Sequence, residues 1–195
     1  MRTTFVLMAV ASVLFAAGLV AQTAKPTAAP VARSKATAPQ ATYRPTATVK
    51  DLMDYIVIPS SEALFNAVGS TTGPTGVEEK APKTDADWTA VRQRALLLIE
   101  AGNLLTIPRR SIAGPKDKSN NPGSELEPSQ MEALVAKDRP GFAKKAQGLV
   151  DAAMIALKAI DAKNVEGLSN AGGDIDEACE NCHTTFWYPN EKKPK

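Results

Sequence analysis

An all-α domain is the fold class this sequence predicts, on three observations. Apolar residues recur at steps of three and four along four separate stretches, as they do on the buried face of a helix. No stretch alternates apolar and polar residues with the period of two that marks a half-buried strand. Between the stretches the chain turns polar and rich in Gly, Pro, Ser and Asn, the composition of loops.

Two segments precede the helices in this chain of 195 residues. Arg2, an apolar run from Phe5 to Val20 and small residues around Ala21 have the layout of a secretory signal peptide over residues 1–21. As a helix the run would span about 24 Å, short of a ~30 Å hydrocarbon core, so cleavage is expected over a permanent membrane anchor. Residues 22–47 are mostly Ala, Thr and Pro with scattered bases (Lys25, Arg33, Lys35, Arg44) and almost no large apolar side chains. Such a tract buries too little surface to offset its ordering entropy, and it reads as a disordered linker. Its basic charge makes it a solvated spacer in the first instance and a weak contact for an anionic lipid or other acidic surface in the second. From Asp51 onward there are 17 bases and 21 acids, a formal charge of −4, which speaks against a nucleic-acid partner.

The first helical stretch runs from about Thr48 to Val68, with Val49, Leu52, Met53, Ile56, Val57, Leu64, Phe65 and Val68 on its apolar face. Pro59 removes a backbone donor there and predicts a kink or two short helices. Gly69 to Pro82, with Gly73-Pro74 and Gly76, reads as a loop. Thr84-Asp85-Ala86-Asp87 opens the second helix with a capping threonine and acids at the positive end of the dipole. Its seam is Trp88, Val91, Ala95, Leu98, Gly102 and Leu105, and Pro108 stops it. A polar crossover follows from Arg109 to Pro128, with a short helix from Ser129 to Lys137. Asp138-Arg139-Pro140 opens the third helix, whose stripe is Phe142, Ala146, Leu149, Ala153, Ala156 and Ile160. Asn164 caps the fourth, with the seam Leu168, Gly172, Ile175, Cys179, Cys182 and Phe186, and residues 190–195 form a polar tail to the domain at 48–189.

The last helix carries the chemistry. Cys179-Glu180-Asn181-Cys182-His183 holds both cysteines and the only histidine of the chain, in the order C-x-x-C-H. On a helix these three stand at i, i+3 and i+4 and share one face. Two thiols there can add to the vinyl groups of a porphyrin while the imidazole reaches the iron. The competing readings are weaker: a disulfide at this spacing closes too short a loop to stabilise much, and no strand precedes the motif as a thioredoxin-like site requires. Structural zinc wants four N or S ligands where this chain has three. The motif therefore predicts one covalent haem c, with thioethers from Cys179 and Cys182 and His183 as the proximal iron ligand. Haem attachment outside the cytoplasm agrees with the signal peptide and points to the periplasm.

With that motif at the end of four helices, residues from about Thr48 to Tyr188 resemble a class II c-type cytochrome of the cytochrome c-prime superfamily, over about three quarters of the chain. The resemblance implies an up-and-down antiparallel four-helix bundle with the haem on the C-terminal helix, a redox or gas-binding role, and homodimers in some members. Phe186 matches an aromatic common in the family three residues after the histidine, but Trp187 stands where a basic residue is usual. Properties tied to that base do not carry over.

Function turns on the far side of the iron. Met53 lies on the inward face of the first helix, where the resemblance places the distal wall, and it either ligates the iron or packs in the core. Met131 falls in the crossover, and Met154 beside the third stripe reads as core. Ligation by Met53 points to electron transfer, with Asp174, Asp176, Glu177 and Glu180 offering an acidic face to a basic redox partner. Packing alone leaves a five-coordinate iron for nitric oxide or carbon monoxide. A third reading is a structural or interaction module stabilised by its haem. No phosphate loop, nucleophile elbow or arranged acid pair is present, so no enzyme activity is expected.

Overall fold

The computed structural model describes residues 43–190, all within one compact unit, Thr42–Lys195. The signal peptide, the linker up to residue 42 and the tail from residue 191 lie outside the described residues. The fold is mostly helical with a small two-stranded sheet. Among the described residues no helix is long and apolar enough to cross a membrane.

The first helix is continuous but composite: α1 (Val49–Leu52), a π-helical turn (Met53–Val57) and α2 (Ile58–Phe65). Thr48 and Asp51 cap it reciprocally, the Asp51 N–H donating to Thr48 Oγ1 at 3.0 Å and the Thr48 N–H to Asp51 Oδ2 at 2.8 Å. The interruption expected at Pro59 takes the form of a π-helical turn that separates α1 from α2, with Pro59 in the first turn of α2. The wider turn before it absorbs the missing donor, with the Ile58 N–H reaching back five residues to the Met53 carbonyl.

The segment read as a loop contains an antiparallel hairpin, β1 (Gly69–Gly73) and β2 (Gly76–Lys80), joined through Pro74 and Thr75. This corrects the all-α expectation to a mainly helical fold with one hairpin. Both strands are exposed along their whole length, so no buried face imposes an alternation that the sequence could display. Gly76 at φ +117° takes the backbone conformation the turn needs.

Helix α3 (Asp85–Leu105) starts at Thr84, which accepts from the Asp87 N–H at 3.1 Å. Two arginines supply cations beyond its negative end: Arg139 Nη2 donates to the Ile107 carbonyl at 2.6 Å, and buried Arg110 donates through Nε to the Leu104 carbonyl at 3.1 Å. Arg110 also donates to the Ala47 carbonyl, so the last residue of the expected linker is tied onto the domain. Helix α4 (Pro128–Lys137) follows the crossover, then α5 (Arg139–Asp161) capped by Asp138 and α6 (Val165–Phe186) capped by Asn164.

Helix α5 lies between α3 and α6, and the first helix packs on α3 and α6. All six residues of the α5 stripe are buried. Two expectations fail here: Met154 is 50% exposed rather than core, and Phe65 is 39% exposed. Met154 follows buried Ala153 directly and so points away from the stripe, whereas Phe65 is exposed because it borders an open cavity.

Small residues let α3 and α5 approach closely. A Cβ built at Gly102 would lie 2.6 Å from Val150 Cγ2 and 3.3 Å from the Ala146 carbonyl oxygen. Overpacking costs about 1–3 kcal/mol, against a gain of about 1 kcal/mol from replacing a helical glycine by alanine. Gly102→Ala is therefore expected to lower the urea midpoint. Gly148→Ala, whose Cβ meets nothing within 4 Å, is expected to raise stability by up to about 1 kcal/mol.

Candidate functional site

Cys179, Cys182 and His183 fall within one unbroken turn of α6, as the spacing predicts. All three are half-buried, and both thiols are free. They border a cavity of about 440 Å³, inside the range of about 300–1,000 Å³ usual for small-molecule and cofactor sites. The first helix contributes Met53, Val57 and Ile58 to its wall, α5 contributes Phe142, and α6 adds Phe186 and Trp187. Phe142 and Phe186 meet edge to face with centroids 5.4 Å apart.

The crossover supplies the remaining wall through Ile112, Met131 and Val135, with the polar residues Lys118, Ser119, Asn120 and Glu125. It is anchored at both ends. Carbonyls of Ser111 and Ile112 accept from the Val49 and Lys50 N–H groups at 2.9 and 2.8 Å, filling the N-terminal donors of the first helix. At the other end the Leu126 N–H donates to the Trp187 carbonyl at 2.9 Å. Asp176 and Glu180 also border the cavity, while Asp174 and Glu177 are exposed on α6.

Burial sets the charge state of the three motif residues. It pushes the Cys179 thiol up to about 11, with the nearby charges of Asp176 and Glu180 adding to the effect. It pushes Cys182 up to about 11 as well, opposed by Lys145 and assisted by Cys179. These are protonated thiols, unlike the activated thiolates of dithiol redox enzymes. For His183 burial lowers the pKa, with Glu180 pulling the other way, so the imidazole is held in the neutral form that coordinates metals.

Met53 reaches the site as the sequence places it, bordering both the main cavity and a cleft of about 20 Å³ beside the motif. It also packs against both core clusters. Met131 is a second thioether on the cavity wall, which sequence reasoning missed. Its signal was the pattern Met131, Leu134, Val135 at helical spacing, which marks a buried face on a segment otherwise taken as decoration.

Among the described residues no cluster of three or more His, Cys, Asp and Glu is placed to hold a metal ion by itself. Two neighbouring thiols, a neutral imidazole on the same face and a largely apolar cavity beneath them fit a covalently attached haem. No protein-family model, curated protein or solved structure matches this chain.

The thiol values give a direct check in the chain with its thiols unmodified. A rise from 9.0 to about 11 leaves about a hundredfold fewer thiolates at pH 8, and the greater nucleophilicity of a higher-pKa thiolate offsets about tenfold of that. Alkylation by iodoacetamide is expected to run about tenfold slower in the folded chain than in urea. Equal rates would contradict the desolvated placement of the thiols.

Proposed function

We propose that the chain is an exported c-type cytochrome that carries one haem, held by thioethers from Cys179 and Cys182 with His183 as proximal ligand, and that it works in electron transfer in the periplasm. The observation that carries this reading is that all three side chains of the C-x-x-C-H motif border one cavity of about 440 Å³. On this reading the first helix, α3, α5 and α6 make the antiparallel four-helix bundle of the cytochrome c-prime superfamily, and the hairpin and crossover are additions to it.

Bound haem supplies a one-electron iron couple. The chain's own residues do the rest. Cys179 and Cys182 fix the porphyrin edge to α6, and His183 offers a neutral nitrogen one helical position beyond Cys182. Val57, Ile112, Val135, Phe142 and Phe186 exclude water from the walls they cover. Met53, on the first helix, borders the same cavity and would supply a thioether as a second protein ligand. The acids on α6 steer a basic partner protein toward the site at low ionic strength.

A second reading rests on the packing of Met53 against both core clusters. If its thioether only packs, the distal position is open and the protein binds small gases such as nitric oxide or carbon monoxide.

Two measurements test these readings. The mature protein is expected to exceed its polypeptide mass by one haem and to keep its colour in acidified organic solvent, whereas Cys179→Ala with Cys182→Ala loses covalent attachment. Unmodified mass after expression with haem-attachment machinery would refute the cytochrome reading. Electron transfer with Met53 ligation further predicts a low-spin native spectrum that becomes high-spin, with rapid carbon monoxide binding, in Met53→Ala and not in Met131→Ala. A native protein that is already high-spin, with Met53→Ala changing nothing, establishes the gas-binding reading in its place.

A further inference from the structure

We infer that Trp187 is the positioning residue for the His183 imidazole, doing by ring packing what a hydrogen-bond acceptor ordinarily does for a metal-bound histidine; the inference rests on the haem reading above. The two rings meet edge to face, with centroids 4.8 Å apart and planes at 89°. Tyr188 closes on the same imidazole from a second direction, its centroid 5.9 Å away. Among the described residues the imidazole is met by these rings and by no hydrogen bond.

That is an unusual shell for a metal ligand. The second ring N–H of such a histidine generally donates to a carboxylate, a carbonyl or water, which fixes the ring's rotation and makes it a stronger electron donor. Glu180 is the carboxylate whose charge acts on His183, and its Oε1 accepts from the Tyr188 hydroxyl at 2.6 Å. The indole packed edge to face on the imidazole limits rotation of that ring.

Trp187 is well held for this task. It stands four residues after His183, directly above it on the helix. Its N–H donates to the His183 carbonyl at 2.8 Å, and its carbonyl accepts from Leu126 in the crossover at 2.9 Å. Its half-buried side chain borders the same cavity as His183. With the indole packed edge to face on the ring and screening it from solvent, the imidazole would act as a neutral donor of ordinary strength, which favours the reduced state of a metal bound to it. An acceptor or water admitted there strengthens donation and favours the oxidised state.

The test compares Trp187→Ala and Trp187→Phe in the full-length, haem-loaded protein, reading the reduction potential and the iron–histidine stretching band of the ferrous form. Trp187→Ala is expected to shift the potential downward and to move the band to higher frequency, while Trp187→Phe restores most of both shifts. If Trp187→Ala does not fold, Trp187→Leu fills the space without a ring and takes its place. Unmoved potential and band in the ring-free variant overturn the inference, as does a phenylalanine variant no closer to the native values. A wild-type chain without haem overturns this inference and the cytochrome reading together; a haem-loaded wild type with silent Trp187 variants overturns this inference alone.

Discussion

The cavity beside the C-terminal half of α6 is the constraint on which the rest of the architecture depends. It has a volume of about 440 Å³, is partly open to solvent and is lined mainly by apolar side chains, so it leaves apolar faces of the first helix and α6 without a protein partner. The remainder of the helical core shows the opposite character. Along α5, Ala152, Ala153, Ala156 and Ala159 are buried, and Gly102 lets α3 close upon Val150. Tight packing of α3 on α5 thus lies beside an open cavity that coincides with the C-x-x-C-H turn.

The π-helical turn explains how the first helix can serve a cavity of this length. Met53, Val57, Ser61 and Phe65 all border it, at successive steps of four. In a regular α-helix each such step drifts by about 40° around the axis, so the last of them would turn away. One wider turn takes up part of that drift and keeps the row on a single side. Pro59 favours the wider turn because its ring would crowd the Tyr55 carbonyl in a regular one. A residue readable in the sequence as a helix breaker thus coincides with the wider turn that keeps this row facing the site.

Much of the fold was legible for a plain physical reason: wherever a helix buries one face, its periodicity is imprinted on the sequence. The α5 stripe, the caps at Thr84, Asp138 and Asn164, and the inward placement of Cys179, Cys182 and Phe186 all follow from that. The hairpin was illegible because Gly69–Gly73 and Gly76–Lys80 bury nothing. Met131 and the crossover wall were obscured differently. The short helix of Met131 carries a readable apolar face, but its placement at the site depends on long-range backbone bonds of the crossover, such as Leu126 to Trp187 and Lys50 to Ile112, which leave no local pattern. Arg110 belongs to the same class, since a buried guanidinium serving carbonyls at Ala47 and Leu104 looks in sequence like any loop arginine.

The electrostatics of the motif tie its side chains to folding. Burial favours all three in their neutral forms. The thiols, raised above their ordinary value of 9.0 to about 11, contribute stability that is present below pH 9.0 and lost as pH rises toward 11. His183, lowered from its ordinary value of 6.5, contributes stability that is present above that value and lost as pH falls through its folded one. These three groups together favour the fold most near neutrality, where the thiols are protonated and the imidazole is unprotonated. On the proposed reading, conversion of the thiols to thioethers would abolish their titration and with it the alkaline limit that burial of this helical turn imposes.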